Sequence, residues 1–231
     1  MAIIEQAKTA YRRNNQPHFH PLGGTFAVTL AAHDAIPEAL LKRVRERKEV
    51  VLMEIDCDNL PQKSERKKDI HQRYYDYIEQ LLHQKRTQEY PFSTAAAALA
   101  LEQRVRQYDG QYYDLIAFSI MSNHVHLLLD FSIQCEGGNA SAWMKNYVNL
   151  ATVIGRIKGG GSFDVNKATG RKGTLWGPGY YDRYMRNQRH LMTEFWYIIR
   201  NAEKAGMVTS WRDHPFTYGD PNLAGLPFGC L

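Results

Sequence analysis

Cysteine is scarce in this chain. Cys57, Cys135 and Cys230 are its only three in 231 residues. Their odd number and scattered spacing fit neither a disulfide framework nor a zinc knuckle, so reduced thiols and a cytoplasmic setting are expected. Long apolar runs are also missing. No stretch approaches the roughly 18 residues of a membrane span, so no membrane association is expected. Met1 to Gln16 lacks the apolar centre of a secretory leader and reads as a mobile basic arm. Neither sign of charge dominates. Lys and Arg total 29 against 24 Asp and Glu, a net charge of +5. Such an excess suits a polyanionic partner without demanding one.

Gly23-Gly24 introduces Thr25 to Leu30, a β-branched and aromatic strand signal. From Pro37 to about Gly110 the pattern turns helical and highly charged, with Ile70, Tyr74, Tyr77, Ile78, Leu81 and Leu82 at helical spacing. A further helix is expected from Thr94 to Val105, capped by Ser93 or Thr94. The charges of this region read as a solvated face. After Asp109-Gly110, Tyr113 to Ile120 and His124 to Phe131 flank Met121-Ser122-Asn123 as a hairpin. Ser141 to Ile157 reads as one helix ended by Gly159-Gly160-Gly161, with a polar, mobile loop from Ser162 to Gly173. The last helix is expected from Gln188 to Ala205, with Asn187 at its start and Gly206 just past its end.

Two places carry chemistry. His124-Val125-His126 lies within a strand signal, and a strand sends alternate side chains to opposite faces. Both imidazoles therefore share a face and can share a cation. A pair of half-buried histidines without a partner would give the same pattern. On the last helix, Leu191, Phe195, Ile198, Ala202 and Ala205 form the apolar stripe. Tyr197 and Asn201 sit together on its flank, four residues apart, so they can reach one small site. A boundary tyrosine with a wet hydroxyl is the plainer explanation of that position.

In combination these pieces resemble the HUH single-tyrosine transposases. The resemblance rests on Gly-Gly-Thr before the first strand, Met121 to Leu129, Leu175-Trp176, and Tyr180-Tyr181-Asp182-Arg183. The segment Tyr197 to Gly206 is similar to the branch called REP-associated tyrosine transposases. It covers Gly23 to Leu30 and Tyr113 to about Val208. The family often has Asn-Pro where this chain has Asn201-Ala202.

The resemblance implies an α+β fold, a ferredoxin-like or RRM-like antiparallel sheet with helices packed on it. Residues 1–231 would be one domain with a helical insertion at about 35–110. His124, His126 and Asn201 would hold Mg²⁺ or Mn²⁺, and Tyr197 would be the nucleophile. Tyr180, Tyr181 and Tyr184 are weaker nucleophile candidates, because none has a metal-ligand candidate four residues on along a helix. The implied partner is single-stranded, hairpin-bearing DNA, cleaved and rejoined through a 5′-phosphotyrosine by a monomer or homodimer. Arg183, Arg186, Arg189, Arg200 and Lys204 are candidates for phosphate contacts. Trp176, Tyr180, Tyr181 and Tyr184 are candidates for base stacking. Arg12 and Arg13 would enter a groove beside a stem, and Lys145 would touch backbone. Three other readings remain open here. One is an RRM-like binding module, one a phosphodiesterase that activates water, and one a domesticated relative acting on repetitive extragenic palindromes for the host.

Overall fold

Strand β1 (Thr25–Ala31) leads through three helices, α1 (Glu38–Cys57), α2 (Lys63–Leu82) and α3 (Ala95–Arg106), to β2 (Asp114–Ile120) and β3 (His124–Asp130). Helices α4 (Ala140–Asn146) and α5 (Leu150–Thr169) then lead to β4 (Tyr181–Tyr184). α6 (Gln188–Ile199), the short α7 (Asn201–Lys204) and β5 (Thr217–Gly219) follow. This computed structural model describes residues 20–58, 61–84, 89–137 and 140–225. Arg12, Arg13 and Cys230 lie outside the described residues.

The strands form one five-stranded antiparallel sheet in the order β4-β1-β3-β2-β5. β1 and β2 are separated by β3, and the connection from β3 to β4 crosses β1. That is the split arrangement of a ferredoxin-like sheet, extended by β5, in an α+β fold as the resemblance implies.

The period of two divides the side chains between two cores. Phe26, Val28, Leu30, Val125, Leu127 and Leu129 face the layer that contains α3 and α5. Ala27, Ala117 and Leu128 face α6, which packs Phe195, Ile198 and Ile199 on them, all at most 1% exposed. Each such buried side chain contributes about 1.5–3 kcal/mol, so α6 is fixed on the sheet. Helices thus pack on both faces of the sheet.

Three expectations are corrected. Gly159-Gly160-Gly161 does not end a helix, and most of Ser162 to Gly173 is not a loop. α5 runs through to Thr169 and stops at Gly170, whose φ of +68° is left-handed. Gly160 and Gly161 serve packing. A Cβ at Gly160 would lie 2.5 Å from the Arg104 guanidinium carbon, and one at Gly161 3.1 Å from Leu101. Their absence lets α3 approach α5 and lets Arg104 reach Asp164 at 2.6 Å. Next, Ser141 to Ile157 is two helices. The chain breaks before Asn149, whose side chain accepts from Thr152 N at 2.9 Å and starts α5. Finally, the last helix is interrupted at Arg200 between α6 and α7. Ala205 N still donates to Asn201 O at 3.0 Å, and Gly206 (φ +67°) ends the segment as expected. Thr94 and Asn187 cap their helices, accepting from Ala97 N and His190 N.

Candidate active site

His126 pairs with Thr29 on one side and Ser119 on the other, and His124 pairs with Ala31. Residues paired across antiparallel strands share a face, so both imidazoles stand on the α6 side. Their ring centroids are 4.7 Å apart, and each residue is 1% exposed.

Neighbouring bonds fix both tautomers. Asn123 Nδ2 donates to Leu82 O at 2.8 Å, which orients the amide. Its Oδ1 then faces His124 Nδ1 at 2.7 Å and can only accept, so His124 carries its proton on Nδ1. Thr29 Oγ1 donates to Glu79 Oε1 at 3.0 Å. With its one proton committed, it accepts from His126 Nδ1, also at 3.0 Å. Both Nε2 atoms carry the free lone pair, and neither has a hydrogen-bond partner among the described residues; the Glu79 carboxylate stands 3.4 Å from His126 Nε2. The buried Asn201 Oδ1 has none either. Buried polar atoms without partners are rare in folded proteins and here lie side by side.

Tyr197 and Asn201 reach the same place from α6 and α7. The Tyr197 ring centroid is 5.6 Å from that of His126. Its hydroxyl donates to Glu79 Oε2 at 2.8 Å. Asn201 Nδ2 lies 3.4 Å from His83 Nε2. The structure therefore brings His124, His126, Tyr197 and Asn201 together.

Glu79 and His83 did not emerge from the sequence as site residues. Glu79 lies in the last turn of α2, and His83 is the residue that caps its C-terminal end. They are four residues apart, so one helix face presents both. That spacing was the available signal, hidden among the charges of α2. Glu79, His83, His124 and His126 each offer a ligand atom, and these atoms all lie within 4.8 Å of one another. Bare imidazole nitrogens, an orphaned amide oxygen and a carboxylate form a donor set that fits a divalent metal ion.

The electrostatics agree with that fit. Burial, with the neighbouring imidazole, holds His124 well below the ordinary histidine range. Burial also holds His126 at about 3, and lowers His83. All three rings are neutral at pH 7, the form that binds metal. Burial, reinforced by Glu79, pushes the Tyr197 hydroxyl far above its usual value, so the phenol is protonated at rest.

A cleft of about 590 Å³ opens in front of Tyr197, lined by Tyr75, Glu79, His83, Arg183, Glu194 and Lys204 among others. Arg183 stacks over the Tyr75 ring at 4.0 Å and pairs with the buried Glu194. Lys204 places its Nζ 4.0 Å from the Tyr197 ring centroid. Arg200 is tied to Glu203 at 2.6 Å. Arg186, Arg189 and Lys145 are exposed away from the cleft lining. Trp176 is a core residue. It is 7% exposed, packs against Phe92, and donates through Nε1 to Lys158 O at 2.9 Å. Tyr181 is likewise a core residue beside Tyr74, and Tyr184 packs against Phe26. Among the described residues, no helix is long and apolar enough to cross a membrane.

No protein-family model matches the chain, and no curated protein matches it. Among solved structures, the chain is similar to a REP-associated tyrosine transposase bound to a REP hairpin. Identity is 15%, over 91% of this chain and 82% of that one, with a TM-score of 0.45.

Proposed function

We propose that the protein is a metal-dependent, single-tyrosine DNA endonuclease and strand transferase. It acts on single-stranded, hairpin-bearing DNA, with residues 1–231 as one functional unit. One observation carries the reading. A tyrosine hydroxyl stands 2.8 Å from a carboxylate oxygen that itself belongs to a cluster of metal-type ligands at a cleft. The motif resemblance, with the order of His124, His126, Tyr197 and Asn201 along the chain, supports the same chemistry.

In this reading His124 Nε2, His126 Nε2 and Asn201 Oδ1 would hold a divalent ion. When bound, a divalent ion, Mn²⁺ or Mg²⁺, supplies Lewis-acid polarisation of a non-bridging phosphate oxygen. The protein's own groups do the rest. A phenol held this far above its usual pKa is not ionised in advance, so it must lose its proton during attack. Glu79 Oε2 already accepts that hydrogen bond and takes the proton. Tyr197 Oη bonds to phosphorus as the bond to the 3′ oxygen breaks, and that oxygen leaves as a 3′-hydroxyl after taking up a proton. The product is a 5′-phosphotyrosine, and attack on it by a 3′-hydroxyl rejoins strands without an external energy source. The Lys204 ammonium over the Tyr197 ring lies close enough to offset the charge that develops there.

A covalent-capture experiment tests the reading. Hairpin-bearing single-stranded DNA, labelled at its 3′ end, is incubated with the protein and Mn²⁺, then run on a denaturing gel. A metal-dependent protein–DNA band that disappears in Tyr197→Phe is expected. Cleaved DNA without the band, unaffected by that substitution, would identify a nuclease that activates water and sink the tyrosine mechanism.

A further inference from the structure

We propose, on the strength of the metal-dependent reading above, that His83 of the inserted helix is a third imidazole ligand. The centre is then built for a first-row transition ion of the manganese-to-zinc series rather than for Mg²⁺. The members of the cluster are not equivalent. Glu79 already has a partner at each oxygen, Thr29 at 3.0 Å and Tyr197 at 2.8 Å. His124 Nε2 and His126 Nε2 have no hydrogen-bond partner among the described residues, although His126 Nε2 lies 3.4 Å from Glu79 Oε2. His83 Nε2 faces only the Asn201 amide, at a long 3.4 Å. The three rings lie in a chain, with centroids 5.4 Å apart from His83 to His124 and 4.7 Å from His124 to His126.

The end of α2 is held where the third ring is needed. Ile78, Leu81 and Leu82 are at most 2% exposed and anchor the helix. Asn123 donates to Leu82 O through one amide atom and orients His124 through the other. One side chain therefore sets both the position of the last turn of α2 and the tautomer of a β3 ligand. A site of two imidazoles and one amide leaves most of the coordination shell to phosphate and water. A third imidazole raises the nitrogen count, and affinity then follows the transition-metal order. Mg²⁺, which prefers an oxygen shell and keeps its waters, gains little from that donor set. The insertion thereby changes which ion the centre selects, and allows that ion to bind before any DNA does.

The test uses chelator-stripped, full-length protein without DNA. Co²⁺ is titrated and followed by its visible ligand-field absorption, Mg²⁺ is added in large excess as competitor, and X-ray absorption counts the imidazoles around Co²⁺. Three imidazoles, with Co²⁺ retained against Mg²⁺, are expected. His83→Ala should show two imidazoles and lose more than about 10-fold in affinity, since even outer partners of a metal ligand are worth that much. Two imidazoles in the wild type, ready displacement by Mg²⁺, or unchanged affinity in His83→Ala would overturn the proposal. The wild-type imidazole count needs no variant to fold. Three imidazoles without a Tyr197-dependent covalent band would sink the transferase reading alone. Two imidazoles with that band would sink only the role of His83.

Discussion

Thr29→Val replaces one hydroxyl by a methyl of nearly the same size and so tests the link between β1 and the centre. Thr29 is fully buried. Its Oγ1 serves Glu79 at 3.0 Å, His126 at 3.0 Å and Tyr75 at 3.1 Å. Valine leaves the Glu79 oxygen and the His126 N–H without partners. Each such group costs about 1–3 kcal/mol, while the added apolar methyl returns about 0.8. A net loss of about 1–5 kcal/mol is expected in urea unfolding of the metal-free protein. The second effect is on binding. His126 loses the acceptor that keeps its proton on Nδ1, so metal affinity should fall by about 10–100-fold, or roughly 1.4–2.7 kcal/mol. Thr29→Ser keeps the hydroxyl and should bind metal nearly as the wild type does, losing only about 1 kcal/mol of packing. The two variants are compared by Co²⁺ titration. Wild-type affinity in Thr29→Val would refute the idea that this hydroxyl prepares His126.

Glu79→Gln should slow formation of the covalent band by about 10²–10⁴-fold, the usual worth of a positioned base, and an unchanged rate would remove Glu79 from proton transfer. Within α5, Gly159→Ala meets no atom within 4 Å and should stabilise the protein by about 1 kcal/mol in urea. Gly161→Ala meets Leu101 at 3.1 Å and should gain nothing or lose stability; equal gains at both sites would refute the close helix packing. The last expectation concerns pH. His126 is held at about 3 and His124 well below its ordinary value, whereas unfolded imidazoles titrate near 6.5. Chelator-treated protein is therefore at full stability above about pH 6.5. As pH falls towards about 3, the unfolded chain takes up protons that these two buried rings refuse, and stability drops by about 1.4 kcal/mol per unit for each. A urea midpoint that does not move between about pH 7 and pH 5 would contradict this.

The strands and the shared face of His124 and His126 were readable because a period of two survives tertiary packing. The Tyr197–Asn201 pairing was readable for a similar reason, since positions four apart stay together even across the break at Arg200. The caps at Thr94, Asn187 and Gly206 follow from local chemistry alone. Gly160 and Gly161 misled because glycine next to a packed neighbour does not signal a helix end, and Arg104 and Leu101 are distant in sequence; Gly159, where an added Cβ would meet nothing within 4 Å, is carried along inside the helix. The place of Trp176 was not legible, because its indole donates to Lys158 O, a contact made only once α5 packs beside it.

The contribution of α2 was the least legible part, and the reason is physical. Glu79 and His83 lie in a helix rich in Lys, Arg, Glu and Asp, where a carboxylate and an imidazole four apart read as solvent-exposed partners. Only the burial of Ile78, Leu81 and Leu82 turns that face inward, and burial depends on surfaces far away in the chain. The site they complete carries a cost. His124 Nε2, His126 Nε2 and Asn201 Oδ1 are buried without hydrogen-bond partners among the described residues, at about 1–3 kcal/mol each. A fold selected for stability alone would fill that space with apolar side chains, as it does along the neighbouring row of Ala27, Leu128 and Ala117. Keeping three orphaned atoms beside a tyrosine held by a carboxylate is sensible only if a ligand repays the desolvation. It is this local conflict with packing, more than the sheet topology, that argues for chemistry at the α6 face.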